Sequence, residues 1–112
     1  MQDANAVPPP ATLAELAQRL QQFADARHWG AFHSPKNLAS ALIVEAGELL
    51  EHFQWLTEAQ SRELGAQQKQ AVAHEMADEL LYLVQLSSAL GVDLMAAATE
   101  KMVINARKYP AG

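Results

Sequence analysis

The sequence predicts an all-α protein, an antiparallel four-helix bundle that forms an oligomer. Alanine and leucine supply 22 and 15 of the 112 residues, a composition that favours helices, whereas valine and isoleucine are few. Apolar residues recur at helical spacing in four segments, and a capping residue stands at the start of three of them. Four helices joined by short connections are typical of an antiparallel bundle.

The amino-terminal part is predicted to be an arm followed by the first helix. Three consecutive prolines fall in a stretch without apolar periodicity, so residues 1–11 are expected to form a disordered or extended arm. Thr12 and Glu15 form the Ser/Thr-x-x-Glu capping box, which opens a helical domain predicted over residues 12–110. The first helix should end near Gly30.

The second helix is predicted from Pro35 to about Leu56. Ser34 is a natural N-cap, and proline suits the first helical position, where its missing N–H costs nothing. Residues 57–68 are polar and include Gly65. They are expected to form a connection with room for one helical turn.

Two further helices complete the predicted bundle. The third covers about residues 69–90 and should end at Gly91, which suits a left-handed C′ conformation. Asp93 caps a fourth helix that stops at Tyr109, before Pro110. The third helix is apolar over more than one stripe, so a monomer would leave apolar surface in water. At least a dimer is therefore expected.

Charge, cysteine content and hydropathy exclude several classes of protein. The absence of cysteine excludes disulfide frameworks and thiolate zinc sites. No run of about 18 apolar residues is present, and residues 1–5 lack the basic and apolar regions of a signal peptide, so we expect a cytoplasmic protein without a membrane partner. A formal charge of −5 argues against a broad nucleic-acid surface.

Four acidic side chains interrupt the apolar faces of the second and third helices. Glu45 lies within the apolar stripe of the second helix, and Glu48 flanks that stripe one turn later. Glu75 and Asp78 repeat the i, i+3 spacing on the third helix. If the two helices pack antiparallel along their apolar faces, the four carboxylates converge.

Such a cluster of carboxylates requires neutralisation. Two unit charges about 7 Å apart repel by about 2 kcal/mol at an effective dielectric constant of about 20. Six such pairs would cost on the order of 14 kcal/mol, comparable to the whole stability of a domain. Oxygen ligands alone suit Mg²⁺ or Mn²⁺, and Mg²⁺ keeps positions for water and substrate phosphates. The pattern therefore favours a redox-inert divalent ion and a phosphate ligand.

Two other interpretations of the acidic pairs remain open. A di-iron or metal-storing carboxylate bundle also uses inward glutamates, but it favours Glu-x-x-His motifs, which this sequence lacks. The acids can also decorate the surface of a non-catalytic helical dimerisation or adaptor module. In that case Glu45 and Glu75 would be exposed and far apart.

Five segments of the chain carry a further signal. They are, in order, Phe32-His33-Ser34-Pro35-Lys36-Asn37-Leu38, Glu45-Ala46-Gly47-Glu48-Leu49, Phe53-Gln54-Trp55, Glu75-Met76-Ala77-Asp78-Glu79-Leu80-Leu81-Tyr82-Leu83 and Lys101-Met102-Val103-Ile104-Asn105-Ala106-Arg107-Lys108-Tyr109-Pro110. Together they resemble the MazG-like all-α nucleoside triphosphate pyrophosphohydrolases, and within these the dCTP pyrophosphatase branch. The resemblance covers about residues 12–110.

The resemblance implies an enzyme that hydrolyses a small-molecule dNTP, dCTP or a modified dCTP, to its monophosphate and pyrophosphate. It implies Mg²⁺ as the cofactor, with Mn²⁺ as a substitute, held by Glu45, Glu48, Glu75 and Asp78. It also implies a homodimer or a homotetramer, with sites near subunit interfaces, and a role in clearing modified or surplus nucleotides. Glu79 departs from the family pattern, since an apolar residue is expected there.

Candidate residues for the chemistry follow from this resemblance. Glu48 is the first choice for the carboxylate that takes the proton of the attacking water, beside Glu45. Lys101, Asn105 and Lys108 share one face of the last helix and are candidate phosphate contacts, although cations there also favour a helix C-terminus.

Aromatic residues are candidates for holding the base. Trp29, Trp55 and Tyr82 offer stacking surfaces, although either tryptophan can instead pack in the core or an interface. His33 resembles the ligand-contacting histidine of the family, whereas a lone histidine is more often a capping or solvated residue.

Overall fold

The computed structural model describes residues 8–112, and every regular element within them is helical. The all-α prediction is confirmed for this part of the chain. Residues 1–7 of the predicted arm lie outside the described residues. The helices are α1 (Leu13–Ala26), α2 (Pro35–Glu51), α3 (Glu58–Arg62), α4 (Ala66–Leu90) and α5 (Leu94–Lys108), with a 3₁₀ turn at Gly30–Phe32.

The long helix α4 is the element on which α1 and α2 pack. The buried apolar side chains come from these three helices: Ala24 of α1, Leu38 of α2, and Val72 and Val84 of α4. By contrast, α5 leaves the direction of α4 at an angle of 101° and buries none of its residues. A four-helix bundle is therefore not confirmed within a single chain.

The predicted helix caps are present. The side-chain oxygens of Thr12, Ser34 and Asp93 each accept a hydrogen bond from the backbone N–H three residues later, at 3.1, 3.2 and 3.0 Å. Pro35 occupies the first turn of α2. Gly91 ends α4 with a φ of 67°, the left-handed conformation that glycine adopts without steric cost.

The end of α1 differs from the prediction. The helix stops at Ala26 because His28, rather than Gly30, takes the left-handed conformation, with a φ of 55°. The N–H of Trp29 then donates to the carbonyl of Ala24 at 3.0 Å, which closes the last turn.

The connection between α2 and α4 contains one short helix, for which the prediction left room, but its bounds differ from those predicted. α2 ends at Glu51 instead of near Leu56, and the short helix α3 follows. A reciprocal capping box between Thr57 and Gln60 begins α3. The Thr-x-x-Gln pattern in the sequence could have predicted this helix start. α4 begins at Ala66, three residues before the predicted start.

Many large apolar side chains of this single chain remain exposed. Ile43 of α2 is 70% exposed and Met102 of α5 is 73% exposed. Met76, Leu80 and Leu83 add exposed apolar surface on α4. Exposed apolar patches on proteins often serve as interaction surfaces.

Within residues 8–112, no single helix combines the length and apolar composition needed to cross a membrane, although α4 and α5 taken together across their bend meet both criteria.

Candidate metal centre and adjoining cavity

Three carboxyl groups meet where α2 packs on α4. Glu45, Glu48 and Glu75 each place one oxygen within 4.8 Å of the others. Glu45 and Glu48 stand on successive turns of α2, and Glu75 stands on α4, so helix packing produces the convergence. Asp78 is one turn beyond Glu75 and, with Glu45, lines a neighbouring cavity.

Two oxygens of this carboxylate cluster are buried without compensation. Glu45 Oε2 and Glu75 Oε2 have no hydrogen-bond partner within residues 8–112. Burial, followed by the nearby carboxyl groups of Glu75 and Glu48, raises the pKa of Glu45 from 4.5 to about 7. The charge of Asp78 acts in the same direction.

These properties fit a divalent cation. An unpaired buried carboxylate oxygen costs free energy, and a hard cation supplies the positive partner that this cluster lacks. The donors are all oxygens, as Mg²⁺ and Mn²⁺ prefer. Glu45, Glu48 and Glu75 can hold such an ion directly, with Asp78 beside them.

A cavity of about 200 Å³ adjoins the carboxylate cluster. Its lining includes the acids Glu45 and Asp78 and the rings of Trp29, His33 and Tyr82. The structure therefore brings three of the predicted substrate-binding residues and two of the predicted metal ligands to one place. A ligand with an aromatic part and an anionic part can contact the rings and a cation held by the acids at the same time.

The aromatic side of the cavity is held by contacts between its own residues. The Trp29 ring meets the Phe23 ring edge-on, with 5.5 Å between centroids, and lies 5.9 Å from the His33 ring. The Arg27 guanidinium lies 3.4 Å from the centre of the Phe23 ring and donates to the Phe23 carbonyl at 3.1 Å. This cation–π contact fixes Phe23, and through it the position of Trp29.

Four predicted substrate-binding residues lie elsewhere in the single chain. Trp55 is 87% exposed in the turn after α2. Lys101, Asn105 and Lys108 are exposed on α5, and none of them lines the cavity. Their part in binding remains a prediction.

The structure adds residues that the sequence did not single out as part of a site. Leu20, Phe23, Leu81 and Gln85 line the same cavity. Leu20 and Phe23 are apolar residues one turn apart on α1, a spacing that indicates a core-facing side rather than a ligand site. Gln85 could have been predicted from the sequence, because it follows Tyr82 by three residues and therefore lies on the same face of the helix.

The geometry does not meet the expectation attached to the adaptor hypothesis. That hypothesis expected Glu45 and Glu75 to be exposed and far apart. Both side chains are half-buried, and their oxygens lie within 4.8 Å of each other.

Comparison with known proteins identifies the family. Residues 41–112, more than half of the chain, match the MazG-like family. The chain belongs to the MazG-like family. This confirms the resemblance drawn from the five sequence segments.

Curated relatives of this MazG-like chain share most of its length. It is 42% identical over 105 residues to dCTP pyrophosphatase 1 of Homo sapiens, and 40% identical over 104 residues to dCTP pyrophosphatase 1 of Rattus norvegicus. These matches cover 92% and 91% of the chain, but only 62% and 61% of the two relatives. The chain thus spans less than two thirds of the length of the relatives.

A solved structure shares the MazG-like fold over nearly the whole chain. The crystal structure of a pyrophosphatase from Archaeoglobus fulgidus superimposes with a TM-score of 0.84 at 36% identity. The match covers 96% of this chain and 100% of the archaeal one.

Proposed function

We propose that this MazG-like chain is a nucleotide pyrophosphatase that hydrolyses dCTP or a modified dCTP to the monophosphate and pyrophosphate. The observation that carries the proposal is that Glu45 belongs both to the carboxylate cluster and to the lining of a cavity with aromatic walls. The human and rat relatives are named dCTP pyrophosphatase 1, which supports this reaction, and the archaeal relative is named a pyrophosphatase. Removal of surplus or modified nucleotides is the proposed cellular role.

The proposed cofactor is Mg²⁺, with Mn²⁺ as a substitute. Glu45, Glu48, Glu75 and Asp78 are its proposed ligands. When bound, the ion supplies positive charge to the triphosphate oxygens and lowers the pKa of water. Glu48 is our first candidate for the base that takes the proton of the attacking water, and Glu45 is the second.

The aromatic residues of the cavity are proposed to hold the nucleoside. Trp29 and Tyr82 offer faces against which a base can stack, and such stacking contributes about 1–3 kcal/mol per base. His33 lies beside Trp29, with 5.9 Å between the ring centroids, and a ring nitrogen of His33 can bond to a polar group of the nucleotide.

We further propose that the protein works as a homodimer or homotetramer. Exposed apolar residues on α2, α4 and α5 support this, and Met102 on α5 is 73% exposed in the single chain. In such an assembly Trp55 and the three polar residues of α5, which are Lys101, Asn105 and Lys108, would complete a site near a subunit interface. Light scattering at micromolar concentration should detect at least a dimer, and a monomer would refute this part.

The experiment that tests the activity is pyrophosphate release from common and modified dNTPs, with Mg²⁺ or Mn²⁺ added. We expect release from dCTP or a modified dCTP, and a loss on the order of 100-fold in Glu45→Ala, the size of effect seen when one electrostatic partner of a transition state is removed. Glu51→Ala is the matched control, because Glu51 is an exposed acid on the same helix. A folded protein that releases no pyrophosphate from any dNTP would favour a non-catalytic helical module.

A further inference from the structure

Gln85 lies where two neighbouring cavities meet. It lines the cavity beside the carboxylate cluster and also a second cavity of about 150 Å³, whose lining includes Gln21 and Ser88. Leu20 and His33 are the other residues shared by both linings. The two cavities therefore adjoin, and the half-buried Gln85 stands at their junction.

The position of Gln85 along α4 places it at the far end of the site from the acids. Asp78, Tyr82 and Gln85 follow one another at spacings of four and three residues, so they form one stripe on the helix. Seven residues of α-helix rise about 10 Å. If the phosphates of a nucleotide lie near Asp78 and its base stacks on Tyr82, the edge of the base therefore points toward Gln85.

The side chain of Gln85 has the chemistry to distinguish one base from another. Stacking on Trp29 or Tyr82 tolerates every base, because every base has a π face. A carboxamide carries an acceptor and two donors side by side and can bind a neighbouring donor and acceptor on a base edge. Within residues 8–112, no hydrogen bond occupies the Gln85 carboxamide. The nearby Ser87 differs in this respect, because its hydroxyl donates to the Val84 carbonyl at 2.7 Å.

We propose that Gln85 is the residue that recognises the base. This inference rests on the proposed function and adds the group that selects among substrates. With cytosine, Gln85 Oε1 accepts from the 4-amino group and Nε2 donates to ring atom N3. The rings of Trp29 and Tyr82 hold the base, and Gln85 favours a base whose edge presents a donor beside an acceptor.

The test compares dCTP with its analogue in which hydrogen replaces the 4-amino group, on the wild type and Gln85→Leu. Leucine is similar in size but offers no hydrogen bond. The variant should lower kcat/KM for dCTP about tenfold, and its preference for dCTP over the analogue should fall about fivefold, because one hydrogen bond exists only with dCTP. Gln70→Leu, an exposed glutamine on the same helix, should keep both values.

Two outcomes would overturn the inference in distinguishable ways. If the wild type hydrolyses dCTP and Gln85→Leu keeps the same preference, or loses activity equally with both substrates, then Gln85 does not recognise the base and the proposed activity stands. If the folded wild type hydrolyses no dNTP, the proposed function falls and the role of Gln85 falls with it.

Discussion

The metal-free protein should lose stability as the pH rises from about 4.5 to about 7, and Glu45 should account for the loss. Its pKa is raised from 4.5 to about 7 in the folded protein, first by burial and then by its acidic neighbours. Below about 4.5 the carboxyl is neutral in both the folded and unfolded states. Between these two pKa values, the folded state keeps a proton that the unfolded state releases, so the free energy of unfolding falls as the pH rises. Above about pH 7, Glu45 is ionised in both states and the whole loss of stability is present.

The expected size of this penalty follows from the same pKa. At 1.36 kcal/mol per pKa unit, a rise from 4.5 to about 7 corresponds to at most about 3 kcal/mol. The cluster borders the exposed Asp78, so solvent screening should reduce the measured difference to about 1–2 kcal/mol. Glu45→Gln removes the ionisation and should therefore stabilise the metal-free protein by that amount at high pH.

Urea unfolding in excess EDTA at about pH 5 and about pH 8 measures the effect. From the lower to the higher pH, the free energy of unfolding of the wild type should fall relative to that of Glu45→Gln. The free energy of unfolding of Glu51→Gln should change as that of the wild type does. The difference in the free energy of unfolding between two of these proteins contains no contribution from histidine titration, because all three proteins have the same histidines. If Glu45→Gln lost stability with rising pH just as the wild type does, the electrostatic account of the cluster would be wrong.

Three further predictions concern the metal, the cavity wall and the end of α4. Excess Mg²⁺ should raise the melting temperature of the wild type but not of Glu75→Gln, because a ligand that binds the folded state stabilises it; an equal rise in both would contradict a role for Glu75 as a metal ligand. Trp29→Ala should raise KM for the preferred dNTP about tenfold through lost stacking, and an unchanged KM in steady-state kinetics would argue against that contact. Gly91→Ala should lower the free energy of unfolding by about 1 kcal/mol, since its φ of 67° strains an L-residue; an unchanged urea midpoint would count against this.

Helix starts could be predicted because they depend on side chains a few residues away. Thr12, Ser34 and Asp93 each bond to a backbone N–H three residues later, so the signal lies within one helical turn. Helix ends were harder to place. The end of α1 depends on His28 adopting a left-handed conformation two residues before Gly30, a residue that suits this conformation better, and no local rule selects the histidine.

The acidic part of the site could be predicted for a similar reason. The spacing of Glu45 with Glu48 places two carboxylates on one helix side, and packing of two apolar stripes brings Glu75 to them. The second wall of the cavity could not be predicted in this way. Phe23 reaches it because α1 packs on α4 at a particular position, and this depends on contacts between segments far apart in sequence.

The concentration of the site on α4 has a consequence for its dynamics. Glu75, Asp78, Tyr82 and Gln85 all lie within three turns of the helix on which α1 and α2 both pack. No loop movement alone can separate them, because their spacing is that of the helix itself. Backbone amides in these turns should therefore exchange with deuterium only when the whole chain unfolds, so that the helix carrying these four residues is also the slowest-exchanging part of the molecule.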